Sequence, residues 1–309
     1  MKKIFLFVPI ALLTGAVLFT ACKKDSKDNS TDTSKADLTT HADDQARFDA
    51  ELDAVSNDGD IVLESTGSFA GRFEGEQGII CDGSVAVNTD SDPMTITITY
   101  DGTNCNGTRT RTGVVKFSMA KNSQWKTAGT AVTVTLQSLK ITRTLDNKSI
   151  TLNGSQTYTN VSGGLLINLV STSITHSIAS SGLSVTFDDG SVRNWQVSKK
   201  RVFSYNNGVV ITTTGTHSEA GADNIAEWGT NRFGGAFTTA ITSPMIVRQD
   251  CSFRLTSGEI KHTIPSISAT ATFGLSAAGL PVSCPVGSYF YRLAWTGPAG
   301  NTFSLLLPY

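Results

Sequence analysis

The sequence predicts an all-β protein, either an antiparallel sandwich or a curled meander of many short strands, preceded by one short amphipathic helix. From residue 61 onward the chain is rich in Thr, Ser, Val, Ile and Gly and has few charged residues. Apolar and polar residues alternate in many segments of this part, as expected of half-buried strands. Turn signals separate the segments, and no run with a helical period lies between them, so the pattern favours antiparallel pairing over βαβ units.

Seven stretches carry this alternation most clearly. In "MTITITY", Ile96, Ile98 and Tyr100 fall on one face and three threonines fall on the other. The sequence "YNNG", between "KKRVFS" and "VVITTT", is the strongest hairpin signal in the chain. The predicted strands lie within residues 94–100, 114–119, 131–145, 165–175, 209–216, 266–273 and 303–307.

The β-rich body, residues 61–309, is long enough to bury an adequate core as one unit or as two similar halves. The two-halves alternative depends on an internal echo between "CNGTRTRTGVVK" and "CSFRLTSGEIK". If the echo reflects a duplication, the halves cover about residues 61–180 and 181–309. Chance similarity between Thr-rich strands is the competing explanation.

An amphipathic helix is predicted from about residue 41 to 56, within a segment that ends at residue 60. Phe48, Leu52 and Val55 recur at helical spacing, and acidic residues occupy the other faces. The sequence "NDGD" at 57–60 supplies a stop signal. We expect this helix to dock on the body through its apolar face.

The first 21 residues have the three parts of a cleaved bacterial export signal. Lys2 and Lys3 precede an apolar run, and Thr20 and Ala21 form a small-residue cleavage site. A transmembrane helix is the alternative, but the run is short for a bilayer and contains Pro9. The pattern favours export.

The stretch "LFTAC" resembles the lipobox of bacterial lipoproteins, with Phe19 where Leu is commoner. The resemblance implies that Cys22 is lipidated and becomes the mature amino terminus, with two or three acyl chains for durable anchoring. Residues 22–40 are polar and are expected to form a disordered tether. "CKKD" is similar to the start of many Bacteroidota lipoproteins. This implies an outer-membrane protein that faces either the periplasm or the cell surface.

Charge is divided unevenly along the chain. Residues 23–60 carry 5 Lys and Arg against 11 Asp and Glu, whereas residues 61–309 carry 18 against 15. We interpret this as an acidic stalk that holds a nearly neutral body. The small positive excess, spread over many strands, excludes a nucleic-acid footprint. The membrane and a polysaccharide or envelope protein are the expected partners.

Four cysteines remain besides Cys22, and an even count in an exported protein favours disulfides. We predict the pairs Cys81 with Cys105 and Cys251 with Cys284, because each closes a local loop. A zinc site is the alternative. It is disfavoured because no two cysteines have C-x-x-C spacing and the four His residues are scattered, so we expect no metal and no cofactor.

A second resemblance covers most of residues 40–309. The stretches "ITYDGTNCNGTRTRTGVVKF", "GTNRFGGAFTTAITSPMIVRQDC" and "LTSGEIK" are similar to a group of Bacteroidota lipoproteins of unknown function. The chain departs from that group at "PVSCPVGSYF", where a Gly-rich turn and an Asp after the cysteine are expected. The resemblance implies no activity.

No catalytic motif is found in the sequence, so a non-enzymatic role is expected. "SMAK" and "SQWK" fit Ser-x-x-Lys, but the companion Lys-Thr-Gly is absent. A glycoside hydrolase, which needs two suitably spaced carboxylates, remains an alternative. Its candidate acids are Asp188, Asp189, Glu219, Asp223, Glu227, Asp250 and Glu259.

Binding of a glycan or a peptide, or a scaffold role, is the preferred function, with a structural or adhesion role as the first alternative. Trp228, Asn231 and Arg232 lie in an apparent Gly-rich polar loop, and Trp195 lies among polar neighbours. The competing interpretation places Trp195 and Trp295 in the core and Trp228 over a sheet edge. "NTDSDP" at 88–93 could hold calcium, but a solvated turn is the simpler interpretation.

Overall fold

The computed structural model describes residues 29–70, 80–219, 221–265, 267–284, 287–296 and 301–309, and side chains are described from Thr40 onward except that of Ser181. The chain is predominantly antiparallel β-sheet with an N-terminal helix, so the predicted fold class is confirmed. Among the described residues, those from 29 to 40 belong to one unit and those from His41 to Tyr309 to another. The export signal, Cys22 and the first part of the predicted tether lie outside the described residues.

The N-terminal helix is longer than predicted at both ends. Helix α1 spans Asn29–Ser65, and a single turn, α2, follows at Gly67–Ala70. The helix therefore includes residues 29–40, which were predicted to be disordered, and it continues through "NDGD". The helix continues through Gly59. A Cβ at this position would lie 2.7 Å from the ring of Phe117, so glycine allows the helix to approach the sheet closely. Among the described helices, none combines the length and the apolar composition that a membrane crossing requires.

The described residues contain fifteen strands, all in one sheet. They are β1 (Gly83–Asn88), β2 (Met94–Thr103), β3 (Arg109–Met119), β4 (Thr130–Arg143), β5 (Ser149–Asn160), β6 (Ile174–Thr186), β7 (Val192–Tyr205), β8 (Val209–Gly215), β9 (His217–Glu219), β10 (Ala222–Thr230), β11 (Ala236–Arg248), β12 (Arg254–Ile264), β13 (Ile267–Leu275), β14 (Phe290–Thr296) and β15 (Thr302–Pro308). Short 3-10 helices occur at Leu166–Asn168 and Gln249–Cys251.

The sheet is an antiparallel meander whose spatial order follows the chain from β1 to β7 and from β10 to β15. Strand β8 pairs with β7 and β11, and β9 pairs with β10. The "YNNG" hairpin joins β7 to β8, with Asn207 at φ 56° and Gly208 at φ 136°. The proposed boundary between two halves at residue 180 falls inside β6, so the sheet does not divide there.

The sheet bends around residues 41–65 of helix α1. Asp49 and Glu51 point to opposite sides of the helix because they are two residues apart, and they contact Lys199 on β7 and Arg109 on β3, respectively. Phe48, Leu52 and Val55 are buried against the sheet, as predicted. The arrangement is a curled meander that holds the helix against its inner face, whereas the sequence predicted a helix docked through one face only.

Two other local predictions were wrong. Of the predicted strand 165–175, only Ile174 and Thr175 are in a strand, where they begin β6; a 3-10 helix occupies Leu166–Asn168, and the flanking Leu165 and Leu169 are buried. The backbone N–H of Leu166 donates to the carboxylate of Glu64 on α1 at 2.7 Å. The apparent loop containing Trp228 is mostly strand β10.

Both predicted disulfide pairs are at bonding distance. The Cα atoms are 5.2 Å apart for Cys81 and Cys105 and 5.0 Å apart for Cys251 and Cys284. Cys105 lies four residues before β3 and Cys251 three before β12, and the fifth residue of each strand is a glycine with positive φ, Gly113 and Gly258. The echo seen in the sequence therefore corresponds to a similar local structure.

Two neighbouring histidines lie where burial disfavours their charged forms. The rings of His41 and His262 are 4.6 Å apart, and Phe237 and Trp195 pack beside them. Burial, together with the His262 charge, lowers the pKa of His41 to about 3, and burial lowers that of His262 to about 4. Both side chains are therefore neutral in the folded protein near neutral pH.

These histidines make stability fall as the pH falls. The unfolded chain takes up their protons near the ordinary His pKa of about 6.5, while the folded chain does not, so each removes about 2 kcal/mol of stability between pH 7 and pH 5. We expect His41→Leu to reduce that pH-dependent loss by about 2 kcal/mol, measured by urea unfolding at both pH values. Burial raises the pKa of Glu64 to about 7, which acts in the opposite direction in both proteins, so the difference between them isolates His41. An unchanged pH dependence would contradict the assignment.

Candidate functional site

The four residues predicted to bind a ligand do not form one exposed site. Trp195 is fully buried on the inner face of β7 and stacks on Phe48 with ring centroids 4.6 Å apart. Trp228 lies on β10 and stacks on His217 at 3.9 Å. The competing interpretation, in which Trp195 is a core ring, is therefore correct.

Asn231 and Arg232 have structural partners in the turn between β10 and β11. The Oδ1 atom of Asn231 accepts hydrogen bonds from the backbone N–H groups of Phe233 and Gly235. The Arg232 guanidinium pairs with Asp44 of α1 at 2.6 Å and with Asp188 at 2.9 Å. These two residues hold the turn against the helix.

The candidate hydrolase acids do not form an evident catalytic pair. Asp250 pairs with Arg248, and Asp223 accepts a hydrogen bond from Ser218. Glu259 accepts hydrogen bonds from Thr242 and Thr272 and lines a shallow groove of about 560 Å³ between β11, β12 and β13. None of the other six candidate acids lines this groove.

The two smaller motif candidates also have structural explanations. In "SMAK", Ser118 is on β3, while Lys121 follows the strand and donates to the carbonyl of Asp90. Asn88 and Ser91 hold the "NTDSDP" turn through local hydrogen bonds. Asp250, Cys251 and Cys284 lie within 4.8 Å of one another, but the two cysteines are paired as a disulfide and cannot offer thiolates to a metal.

The interface between helix and sheet is the most highly charged part of the core. Acidic residues on α1 meet basic residues of the sheet and, in the case of Arg232, of the turn between β10 and β11. The ion pairs are Asp43 with Arg143, Asp44 with Arg232, Asp49 with Lys199, Glu51 with Arg109, Asp53 with Arg201, and Asp58 with Arg111. The ring Nδ1 of His176 lies 3.4 Å from a carboxylate oxygen of Asp60. The acidic stretch that looked like a stalk is therefore the partner of an inward-facing basic surface.

One group in this interface brings reactive side chains together. The Lys199 ammonium contacts Oδ1 of Asp49 and lies 2.8 Å from Oε1 of Glu227. The indole N–H of Trp195 donates to the other Glu227 oxygen at 3.2 Å. We call Asp49, Lys199, Glu227 and Trp195 the Lys199 cluster. The Glu227 side chain is 1% exposed, that of Lys199 is 7% exposed and that of Asp49 is 40% exposed.

Burial and the charges of Asp49 and Lys199 shift the pKa values of the three titratable groups in this cluster. Burial, followed by the neighbouring Asp49 carboxylate, raises the pKa of Glu227 well above its usual range. Burial also acts to raise the pKa of Asp49, but the Lys199 charge outweighs it and the pKa is lowered. Burial acts to lower the pKa of Lys199, but Asp49 and Glu227 outweigh it, so that pKa is raised. These directions favour a neutral Glu227 beside a Lys199–Asp49 ion pair.

The sequence contained a signal for this cluster that the pattern analysis did not use. The inward residues of β7 are Trp195, Val197, Lys199, Arg201 and Phe203, so two cations occupy the apolar phase of an alternating strand. Arg111 occupies the same phase as Val115 and Phe117 on β3. Cations at such positions predict buried acidic partners, but not which ones.

A second feature is an apolar surface at the C-terminal edge of the sheet. In the described part of the chain, β15 pairs only with β14 and is an edge strand. Trp295 lies opposite Phe303, with ring centroids 5.5 Å apart, and Leu293 lies opposite Leu305. Phe303 is 55% exposed and Leu305 is 50% exposed. We call these four residues the C-terminal apolar surface.

When the chain was compared with protein-family models, curated proteins and solved structures, no match was found in any of the three. The chain is therefore classified by its own fold and surface features. It is an antiparallel β-meander that encloses a charged helix, closes two local loops with cysteine pairs and exposes an apolar sheet edge.

Proposed function

We propose that this chain is an exported, lipid-anchored envelope protein without catalytic activity, and that strand β15 binds an extended segment of an envelope protein. The observation that carries the proposal is the exposure of Phe303 and Leu305 on an edge strand. Edge strands present unpaired backbone groups, and folded proteins usually protect them with charge, proline or a covering element. An apolar residue pair left open at such an edge marks an interaction surface.

A peptide fits this edge better than a sugar does. An added strand would satisfy the free backbone groups of β15, and its alternate side chains would cover Phe303 and Leu305. Many charged groups of the helix and sheet pair with one another in the interior and do not lie at β15. A ligand at this edge would therefore be held by apolar contact and by backbone hydrogen bonds.

The binding proposal predicts a face-specific effect of substitution. We expect extended peptides with alternating apolar residues to change Trp emission saturably, because Trp295 lies beside Phe303. Phe303→Lys should weaken binding about 10- to 30-fold, since it places a charge in the contact. Ser304→Lys is the matched control, because Ser304 is exposed on the other face of the same strand, and it should bind like the wild type.

Three results would count against peptide binding. A saturable change in Trp emission with polysaccharides but not with peptides would indicate that the ligand is a glycan. Equal loss in both variants would show that the contact is not on the apolar face. Appearance of reaction products would restore the hydrolase alternative.

The anchor is tested separately in cells. Its support is the basic start, apolar run and "LFTAC" sequence at the N-terminus. Cys22→Ser should move the protein out of the membrane fraction, because no thiol remains to carry the acyl chains. Retention of the variant in the membrane would contradict the anchor but not the peptide site.

A further inference from the structure

We infer that the Lys199 cluster forms an intramolecular amide bond between Lys199 Nζ and Asp49 Cγ, with Glu227 as the proton-transferring group, and so joins helix α1 covalently to strand β7. The inference does not depend on the proposed function. It assigns the cluster a self-modification that needs no enzyme, metal or oxidant.

The geometry supplies the requirements of this reaction. The amine contacts an oxygen of the carboxyl group that it would attack, and a second, buried carboxyl group lies 2.8 Å from the same amine. Reacting groups that a fold also orients correctly reach effective concentrations of about 10⁵ M or more. Glu227 is held in place by the Trp195 indole N–H, so it can give and take protons without moving.

Burial of the Lys199 ammonium, which is 7% exposed, favours the neutral product over the starting ion pair. Charges removed from water are costly, and an amide bond replaces one ammonium and one carboxylate with a neutral group. Phe48 and Trp195 pack beside the cluster and limit access of water from the core side. The charge of Arg201 also acts on Asp49 and that of Asp53 on Lys199, and these two residues pair with each other at 3.7 Å.

The reaction can be written with balanced atoms and charges. The Lys199 ammonium first passes a proton to the Asp49 carboxylate, which makes a neutral amine and a neutral acid. The amine lone pair attacks Cγ, the C–N bond forms, and the carbonyl electron pair moves to oxygen, which takes a proton from Glu227. Glu227 then removes a proton from nitrogen and delivers it to one hydroxyl group. The C–O bond breaks and one water leaves. Glu227 finally recovers a proton from the remaining hydroxyl group, so the net change is amine plus acid to amide plus water.

Neighbouring pairs lack the chemistry. Arg201 and Asp53 join the same helix and strand, but a guanidinium stays protonated and is a poor nucleophile. Lys148 and Asp43 are 4.0 Å apart and both are open to solvent in part, and Lys148 forms no ion pair with a second carboxylate among the described residues. The Lys199 cluster is thus distinguished by a buried lysine with two carboxyl groups.

The test is the intact mass of the purified full chain after reduction. We expect the wild type to weigh about 18 Da less than its covalent sequence requires, which is the mass of one water. Lys199→Met should abolish this deficit. Because both proteins carry the same N-terminal processing, the mass difference between them isolates the missing water.

Further variants separate the amide from other losses of water. Asp58, Asp82, Asp101 and Asp189 each precede glycine and can lose water as succinimides, but Lys199→Met leaves them intact. Lys148→Met is the matched control and should keep the deficit. Glu227→Gln should slow formation about 100- to 10,000-fold, because it removes the proton-transferring group.

Peptide mapping gives an independent readout. Trypsin should release a branched peptide in which residues 48–72 are joined to residues 194–200, since a modified Lys199 is no longer a cleavage site. A wild type with no mass deficit would overturn the inference, as would a deficit that persists in Lys199→Met. Formation at the wild-type rate in a folded Glu227→Gln variant would overturn the role assigned to Glu227.

Discussion

Replacement of Arg111 by methionine is expected to destabilise the protein by about 3–5 kcal/mol, because it leaves buried acids without their cation. The Arg111 guanidinium binds both oxygens of Asp82 at 2.6 Å and Oδ2 of Asp58 at 2.7 Å. The side chains of Arg111 and Asp82 are 6% and 1% exposed. Arg111 also lies over the ring of Tyr100, 4.1 Å from its centroid. Urea unfolding at pH 7 measures the loss.

The charge explanation has two controls. Arg111→Met combined with Asp82→Asn should recover much of the loss, because the second substitution removes the unpaired charge. Arg248→Met breaks a pair with Asp250 at the surface, where water screens the charges, so stability should change little. Equal losses in Arg111→Met and Arg248→Met would contradict the importance of burial.

Replacement of Trp195 by alanine is expected to cost about 3–5 kcal/mol, the usual effect of removing a large core aromatic residue. The ring packs against Phe48 and Phe237 with centroids 4.6 Å away in each case, and it also donates to Glu227. Its removal would leave a cavity between helix and sheet and free a buried carboxyl group. Thermal and urea unfolding should both report the change.

Trp228→Ala provides the comparison with a partly exposed tryptophan. Trp228 stacks on His217 outside the main core cluster, so its removal should cost about 1 kcal/mol. If Trp195→Ala were as stable as the wild type but failed to bind a ligand, the result would contradict the core role of Trp195 and support the sequence-based prediction that it binds ligand.

The strands and turns were predictable because their signals are local. Alternation in "MTITITY" places Ile96 and Ile98 in the core, and both are fully buried. In β4 the alternation of Val132, Val134 and Leu136 shifts to Leu139 and Ile141. The shift marks a bulge at Ser138, whose carbonyl would lie 2.3 Å from a Cβ on Gly113 of β3.

The helix boundary was not predictable in the same way. "NDGD" carries a local stop signal, yet α1 continues past it because residues beyond Gly59 are held by the sheet. Val62 and Leu63 are buried there, and Asp60 meets His176 on β6. Tertiary packing therefore outweighed the intrinsic cost of glycine in a helix, which is only about 1 kcal/mol.

The sequence by itself determined the all-β class, the hairpin signals and the two cysteine pairings, because alternation, turn chemistry and short loop closure act between residues that are close along the chain. Only the tertiary structure decided that the sheet curls around α1, and that curvature selects partners such as Asp49 and Lys199, which are 150 residues apart. Charge patterning showed an acidic segment before a nearly neutral body. Which acid meets which cation depends on strand register and sheet curvature, and these are properties of the assembled core.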